Sequence, residues 1–177
     1  MLPLGTPAPD FALPDTEGRI VRRDDFHGAT ALLVLFICNH CPYVKHVREK
    51  LAALGHDYMP RGVAIVAINS NDPAQYPDDS PEAMRVEKQQ AGYPFPYLFD
   101  ESQDVARAYQ AACTPDIYLF DAQQKLVYRG QLDDSRPFNE RPVTGADLRA
   151  ALDAVLEGRP VPEDQRPSLG CNIKWRE

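Results

Sequence analysis

The chain has 177 residues, of which 44% are hydrophobic and 25% are charged, and its formal net charge at pH 7 is −7. This composition is that of an ordinary globular domain, and the acidic balance argues against nucleic acids and anionic membranes as partners, since both require basic surfaces. No apolar run has transmembrane length, and the N-terminus lacks the regions of a signal peptide. We therefore expect a monomeric, cytoplasmic protein with one domain over residues 1–177.

The first half of the chain predicts a hairpin followed by a βαβ unit. Residues 11–22 form the predicted hairpin, with Gly18 supplying the positive φ of its turn. A short apolar run at 30–37 is typical of a buried strand, and helical spacing follows from Pro42 to Asp57. The second buried strand, at 63–69, would then lie parallel to the first.

The second half predicts shorter elements and a tail bounded by prolines. The predicted elements are a helix from Pro81 to Ala91 capped by Ser80, a strand at 97–99, a helix at 102–112, a hairpin of strands 117–120 and 126–130, a surface loop at 131–143, a helix capped by Thr144 and ended by Gly158, and a tail at 159–177. Together these elements predict an α/β fold with a mixed central sheet, helices on both faces and an added N-terminal β-hairpin.

Two cysteines, Cys38 and Cys41, lie where the first buried strand ends and a helix begins. Unpaired N–H groups and the helix dipole stabilise a thiolate at such a position, so its pKa falls below about 8.5. Strand, Cys-x-x-Cys and helix are the arrangement that dithiol–disulfide exchange requires, with Asn39, His40 and Pro42 as supporting residues. A zinc site usually needs a second pair of ligands, which the sequence lacks, so we expect no metal or other cofactor.

Several motifs together resemble the thioredoxin superfamily. Thr114-Pro115 precedes the second hairpin, as a Thr-Pro does in that superfamily, and the segment Gly5–Phe11 resembles the peroxiredoxin and TlpA-like branch, grouped as alkyl hydroperoxide reductase/thiol-specific antioxidant domains. The strings Cys38–His46 and Gly170–Trp175 resemble a bacterial subgroup of Cys-x-x-Cys proteins within that branch. The resemblance covers essentially the whole chain and implies a thioredoxin-like fold and a thiol–disulfide oxidoreductase. Its partners would be disulfide- or dithiol-bearing proteins, with thioredoxin or glutathione as candidate electron sources.

The same resemblance implies a role for each site residue. Cys38 would be the attacking and more exposed cysteine, and Cys41 would resolve the mixed disulfide. Pro115 would be a cis-proline facing the pair, and the backbone at Thr114 would pair with a partner's extended chain. His40 would favour the Cys38 thiolate and raise the reduction potential above that of thioredoxin, or it would be a solvated histidine without effect.

One departure from thioredoxin leaves a proton acceptor unidentified. Thioredoxin has a buried aspartate six residues before its first cysteine, and Leu32 occupies that position here. The base that serves Cys41 could instead be His40, His46, Glu49 or water.

A thiol peroxidase with an antioxidant role is one alternative. Efficient peroxiredoxins use a Pro-x-x-x-Thr-x-x-Cys segment, whose threonine orients the peroxide. Leu35 and Ala31 occupy the threonine and proline positions before Cys38. We therefore expect at most slow turnover with peroxide.

The remaining cysteines, Cys113 and Cys171, leave two further possibilities open. Cys113 borders the predicted site and a tail can fold back, so the two could form a second redox pair; the alternative is that both are packing residues. In a different class of function, Cys38 and Cys41 could bind a soft ion such as Cu(I). The additional ligand would be His40, His46 or Cys113.

Overall fold

The fold is described from a computed structural model that covers residues 2–177. The strands are β1 Ala12–Pro14, β2 Ile20–Arg22, β3 Ala31–Phe36, β4 Val63–Asn69, β5 Tyr97–Phe99, β6 Cys113–Thr114, β7 Asp116–Phe120, β8 Leu126–Gly130 and β9 Cys171–Asn172. The helices are α1 Pro42–Tyr58, α2 Pro81–Ala91, α3 Asp104–Ala108 and α4 Ala146–Leu156. Within this described part of the chain, every helix is too short or too polar to cross a membrane.

The central sheet is mixed, as predicted, and β3 lies in its middle. The strand order is β5-β4-β3-β7-β8; β3, β4 and β5 run parallel, while β7 is antiparallel to both β3 and β8. All six residues of β3 are buried, which explains why the strand reads as a continuous apolar run. The predicted N-terminal hairpin is confirmed as the antiparallel pair β1–β2.

Two apolar clusters cover the two faces of the sheet. Alternate β3 side chains, such as Leu33 and Leu35, pack with α1, α2 and α4 on one face. Their neighbours Val34 and Phe36 pack with α3 and the N-terminal hairpin on the other. Because side chains alternate along a strand, β3 packs into both halves of the core. This packing on both faces fixes the position of the C-terminal end of β3, which is followed closely by Cys38.

Three predicted helix ends are confirmed by their local chemistry. Pro42 is the first residue of α1, where its missing N–H costs no hydrogen bond. Ser80 caps α2 by accepting a hydrogen bond from the Ala83 N–H at 3.2 Å, and Gly92 ends that helix with a φ of 72°.

The helix predicted at 102–112 is wrong in length, since α3 covers Asp104–Ala108 alone. Gln103 and Gln110 take positive φ values of 67° and 54° on either side of it. The buried carboxylate of Asp100 accepts an N–H from within α3 at 2.9 Å. Tertiary hydrogen bonds therefore override the good helix propensity of this segment.

The loop at 131–143 was predicted on the surface, but its first half is buried. Asp133 and Ser135 are 2% and 4% exposed. One carboxylate oxygen of Asp133 accepts the N–H groups of Thr144 and Gly145, both at 2.8 Å. Gly145, not Thr144, is the N-cap of α4; the Leu132 carbonyl accepts the N–H groups of Asp147 and Leu148, both at 3.2 Å, which a side-chain cap would otherwise serve.

The C-terminal tail returns to the centre of the molecule. Strand β9 pairs antiparallel with β6, so that Cys171 lies opposite Thr114 and Asn172 opposite Cys113. The peptide bond between Thr114 and its following proline is cis, as the resemblance implied. Ile173 is 3% exposed and joins the cluster that also contains the N-terminal hairpin. The tail therefore packs against the segment around Thr114, which lies next to Cys38 and Cys41.

We expect Gly170→Ala to loosen this tail. A Cβ at Gly170 would lie 2.0 Å from the Thr114 carbonyl oxygen, which is backbone and cannot move aside easily. Overpacking of this kind costs about 1–3 kcal/mol, so the amides of Ile173 and Lys174 should exchange hydrogen roughly 5- to 150-fold faster. Leu169→Ala, at a side chain that is 49% exposed, is the control. Unchanged exchange in Gly170→Ala would contradict the close approach.

Candidate active site

Cys38 and Cys41 lie side by side at the C-terminal end of β3 and the start of α1. Cys41 is the N-cap of α1. The Cys38 sulfur is 3.4 Å from the Thr114 hydroxyl oxygen, and the Cys41 sulfur is 3.4 Å from the Thr114 carbonyl oxygen. The two thiols are 2% and 0% exposed, so Cys38 is the more exposed of the pair, as the resemblance implied, but both are buried: Thr114 lies over both sulfurs, and the tail packs on Thr114.

The two thiols are coupled, because each changes the pKa of the other. A hydrogen bond from Cys38 lowers the pKa of Cys41 to about 4, against the opposing effect of burial. The thiol of Cys171 and the backbone N–H of Val44 lower this pKa further. These interactions favour a thiolate on Cys41 in the reduced pair.

Cys38 is the protonated partner of the pair. Its hydrogen bond to Cys41 raises its pKa well above that of a free thiol, and burial and the nearby Asp79 carboxylate act in the same direction. The Thr114 hydroxyl lowers it. Burial and the Asp79 carboxylate thus disfavour a thiolate on Cys38, whereas the backbone N–H of Val44, in the first turn of α1, favours one on Cys41.

Asp79 is the site residue that sequence reasoning missed. Its carboxylate is fully buried and accepts the Asn39 N–H at 2.7 Å, the Asn71 side chain at 3.0 Å and the Asn69 side chain at 3.2 Å. His40 Nδ1 contacts its second oxygen. A signal was present, since a polar run begins directly at the end of β4, and the ends of neighbouring parallel strands meet at one edge of a sheet.

His40 faces Asp79, and its ring stacks on Tyr76 with centroids 5.4 Å apart. A positive charge on this imidazole would therefore be compensated chiefly by the carboxylate. Asn39 holds the loop, because its side chain donates to the Asp78 carbonyl at 2.9 Å while its backbone N–H donates to Asp79. These residues position the Cys-x-x-Cys segment.

The other residues considered as proton acceptors lie elsewhere. His46 Nε2 is 2.7 Å from the Ser135 hydroxyl oxygen, and Glu49 is exposed on α1. The groups that act on the Cys41 sulfur are instead Cys38, Cys171 and Thr114. The structure thus surrounds Cys41 with exchangeable protons on sulfur and oxygen rather than with a carboxylate or an imidazole.

The structure brings Cys171, rather than Cys113, to the pair. Opposed residues of two paired strands share a face, and Cys171 is opposite Thr114, whose hydroxyl faces Cys38. Cys113 is one position earlier and therefore on the other face, where its thiol donates to the Pro115 carbonyl at 3.6 Å. Burial raises the pKa of Cys113 to about 12.

One group of side chains has the composition of a metal site. Ligand atoms of Cys38, His40 and Asp79 all lie within 4.8 Å of one another. Sulfur, imidazole nitrogen and carboxylate oxygen are the ligands that zinc accepts. Of the further ligands considered from the sequence, His46 is bound to a serine and Cys113 faces away.

Comparisons with known proteins show which family and which fold the chain is similar to. The model of the AhpC/TSA family matches residues 4–129. A thiol-disulfide oxidoreductase ResA of Geobacillus thermodenitrificans is 30% identical over 127 residues, which are 70% of this chain and 66% of the relative. The match thus spans just under two thirds of that relative's length.

Two solved structures extend the comparison to the whole fold. The crystal structure of an uncharacterized conserved protein from Geobacillus kaustophilus is 62% identical, covering 99% of this chain and 94% of its own, with a TM-score of 0.97. A putative thiol:disulfide interchange protein DsbE from Chlorobium tepidum is 24% identical, covering 88% of this chain and 99% of its own, with a TM-score of 0.69. The second likeness shows the thioredoxin-like fold.

Asp79→Asn should make Cys38 more acidic. Removing the carboxylate charge removes one cause of the raised Cys38 pKa, so alkylation of Cys38 should begin at lower pH. The substitution also replaces an acceptor with a donor in a buried network, at a cost of about 1–3 kcal/mol. Asp78→Asn, at the exposed neighbour, is the matched control. Identical alkylation profiles for the two variants would show that Asp79 does not act on Cys38.

The reduced protein should gain stability with rising pH through Cys41. Its folded pKa is about 4, and the unfolded value is about 8.5, so the folded state stabilises the thiolate. This contribution is complete above the unfolded pKa and is lost as pH falls toward about 4. Denaturant unfolding under reducing conditions should show the difference between the native chain and Cys41→Ser widening from about pH 5 to about pH 8, by up to about 1.4 kcal/mol per pH unit. A constant difference would refute the lowered pKa.

Proposed function

The chain belongs to the AhpC/TSA family of thioredoxin-like proteins, and we propose that it is a thiol–disulfide oxidoreductase whose reactive groups are Cys38 and Cys41. The observation that carries this proposal is the pair of buried thiols at the start of α1, both of which lie against Thr114 beside its cis peptide bond. Exchange needs a thiolate and a second thiol within reach of it, and the site supplies both.

Thr114 supports the form of the pair that attacks. When the proton moves from Cys38 to Cys41, the Cys41 thiol can donate to the Thr114 carbonyl oxygen, 3.4 Å away. The Thr114 hydroxyl, also 3.4 Å away, can donate to the new Cys38 thiolate. Thr114 thereby stabilises both products of the proton transfer, the Cys41 thiol and the Cys38 thiolate.

The reaction then proceeds by two exchanges. The Cys38 thiolate attacks one sulfur of the partner's disulfide, which forms a mixed disulfide and releases the other sulfur as a thiolate. That thiolate takes the proton of Cys41, and the Cys41 thiolate attacks the Cys38 sulfur. The products are the Cys38–Cys41 disulfide and a reduced partner, and the reverse sequence oxidises a dithiol.

Stabilisation of the thiolate determines the reduction potential that we propose for the pair. The reduced form is favoured by the hydrogen bonds that Cys41 receives, so the reduction potential of the pair should lie above the value of about −270 mV for thioredoxin. We propose protein partners that carry disulfides or dithiols, with thioredoxin or glutathione as the electron source and this chain acting as a monomer in the cytoplasm.

A partner would approach beside the cis peptide. A pocket next to Pro115 is lined by Tyr43 and His46 together with residues of the 131–143 loop and the tail. Phe138, at 69% exposed, lies edge-on to Tyr43 at this border and offers an apolar contact. The edge of β6 is occupied by β9, so an extended partner chain can pair there after the tail moves.

Metal binding is the second candidate, and the cluster of Cys38, His40 and Asp79 is the observation that favours it. If this were the function, reduced protein would bind zinc or Cu(I) stoichiometrically, and Asp79→Asn would lose that binding. Peroxidase activity has less support, because Leu35 lies within the fully buried β3 and supplies no hydroxyl to a peroxide.

The Cys38→Ser and Cys41→Ser variants separate the two proposed roles. Cys38→Ser should abolish dithiothreitol-driven reduction of insulin, since the attacking sulfur is gone. Cys41→Ser should accumulate a mixed disulfide between Cys38 and the substrate, detected as a reducible adduct. The double variant controls for capture by the other two cysteines and should form no adduct. Turnover by Cys38→Ser at the native rate would refute the assignment.

A further inference from the structure

A third thiol, that of Cys171, completes a cluster with the reactive pair. It packs against the apolar cluster that contains both cysteines, and it lies opposite Thr114, whose oxygens contact the Cys38 and Cys41 sulfurs. Unlike Cys38 and Cys41, it is partly exposed. The exchange described above makes no use of it.

The tail that carries Cys171 is fixed on both sides of the cysteine. On the N-terminal side, Gly170 packs against the backbone of Thr114, where a side chain would clash. On the C-terminal side, the Lys174 N–H donates to the Asn71 side chain at 2.8 Å, and Lys174 O accepts from the Gln103 side chain at 2.9 Å. These hydrogen bonds join the tail to residues far away in the sequence, and they hold Cys171 close to Cys38 and Cys41.

We propose that Cys171 is a third redox-active cysteine, which attacks the Cys38–Cys41 disulfide at Cys41 and forms a Cys41–Cys171 disulfide. In this step the Cys171 thiolate bonds to the Cys41 sulfur, the Cys38–Cys41 bond breaks, and Cys38 leaves as a thiolate. One disulfide is exchanged for another, so no further oxidant or reductant is required. The inference rests on the proposed exchange function and extends it by one step.

The geometry selects Cys41 as the sulfur that is attacked. Cys171 interacts electrostatically with Cys41, whereas the Cys38 sulfur faces the Thr114 hydroxyl. The leaving Cys38 thiolate would be stabilised by that hydroxyl. Cys113 is on the other face of the ladder and takes no part in this step.

The charge state of the pair would control the reactivity of Cys171. In the reduced protein its pKa is raised to about 11, first by burial and then by its hydrogen bond to Cys41 and the Cys41 charge. Oxidation of the pair removes the Cys41 thiolate, so neither the hydrogen bond to Cys41 nor the Cys41 charge raises the pKa of Cys171 any longer. Cys171 therefore becomes more acidic when a disulfide is present for it to attack.

The step would move the disulfide toward solvent. Cys38 and Cys41 are buried, but a Cys41–Cys171 disulfide includes the partly exposed cysteine of the tail. A small thiol such as glutathione could reach it there. At the same time, Cys38 regains the thiolate needed for another attack.

The test uses the full chain with Cys38→Ser as the first variant. Oxidation with one equivalent of diamide should reduce its free thiols from three to one, and peptide mapping without reductant should show Cys41 linked to Cys171. Cys38→Ser/Cys113→Ser should go from two free thiols to none. Cys38→Ser/Cys171→Ser should keep both. A link from Cys113 to Cys171 would overturn the proposal, as would two surviving thiols in the variant that lacks Cys113.

A second measurement uses the native pair. In oxidised native protein, Cys38 should be partly alkylated, while in oxidised Cys171→Ser it should be protected completely. Complete protection in both would overturn the third-cysteine step while leaving the exchange function intact. Failure of the exchange function has a different signature, since the native chain would then form no Cys38–Cys41 disulfide and reduce no insulin.

Discussion

The proton shared by Cys38 and Cys41 is the interaction on which the proposed chemistry depends. It requires two buried sulfurs in contact, and the fold supplies this contact by ending β3 and beginning α1 within a few residues. Thr114 lies against both sulfurs, and its hydroxyl and carbonyl complement either position of the proton. A buried thiolate would otherwise be costly, and here sulfur, hydroxyl and amide donors replace the water that burial removes.

The Asp79 carboxylate opposes the attacking form of the pair. Its charge disfavours a thiolate on Cys38, and its hydrogen bonds to Asn39, Asn69 and Asn71 hold the Cys-x-x-Cys loop against β4. His40 Nδ1 contacts the same carboxylate. The site thus combines a rigid loop with a Cys38 that stays protonated until the proton moves to its neighbour, which would limit unwanted oxidation of a reactive thiol.

The sequence predicts much of this arrangement where the determinants are local. The apolar run of β3, the first-turn proline of α1 and the Ser80 cap all act within a few residues, and those elements are confirmed. The identity of Asp79 as a site residue, the burial of Asp133 and the pairing of the tail with β6 depend on contacts between segments far apart in the chain. A pattern read along the chain does not contain such contacts. For the same reason the sequence offered Cys113 and Cys171 as a pair, whereas strand register places them on opposite faces.

The reduction potential of the Cys38–Cys41 pair, titrated against glutathione, tests the central claim most directly. A pair whose reduced form is stabilised as a thiolate should give a cooperative two-electron couple above about −270 mV. The same titration in Cys41→Ser should show no such couple. A native couple below the thioredoxin value, or no measurable couple, would contradict the account, because the stabilised thiolate would then be absent from the functional protein.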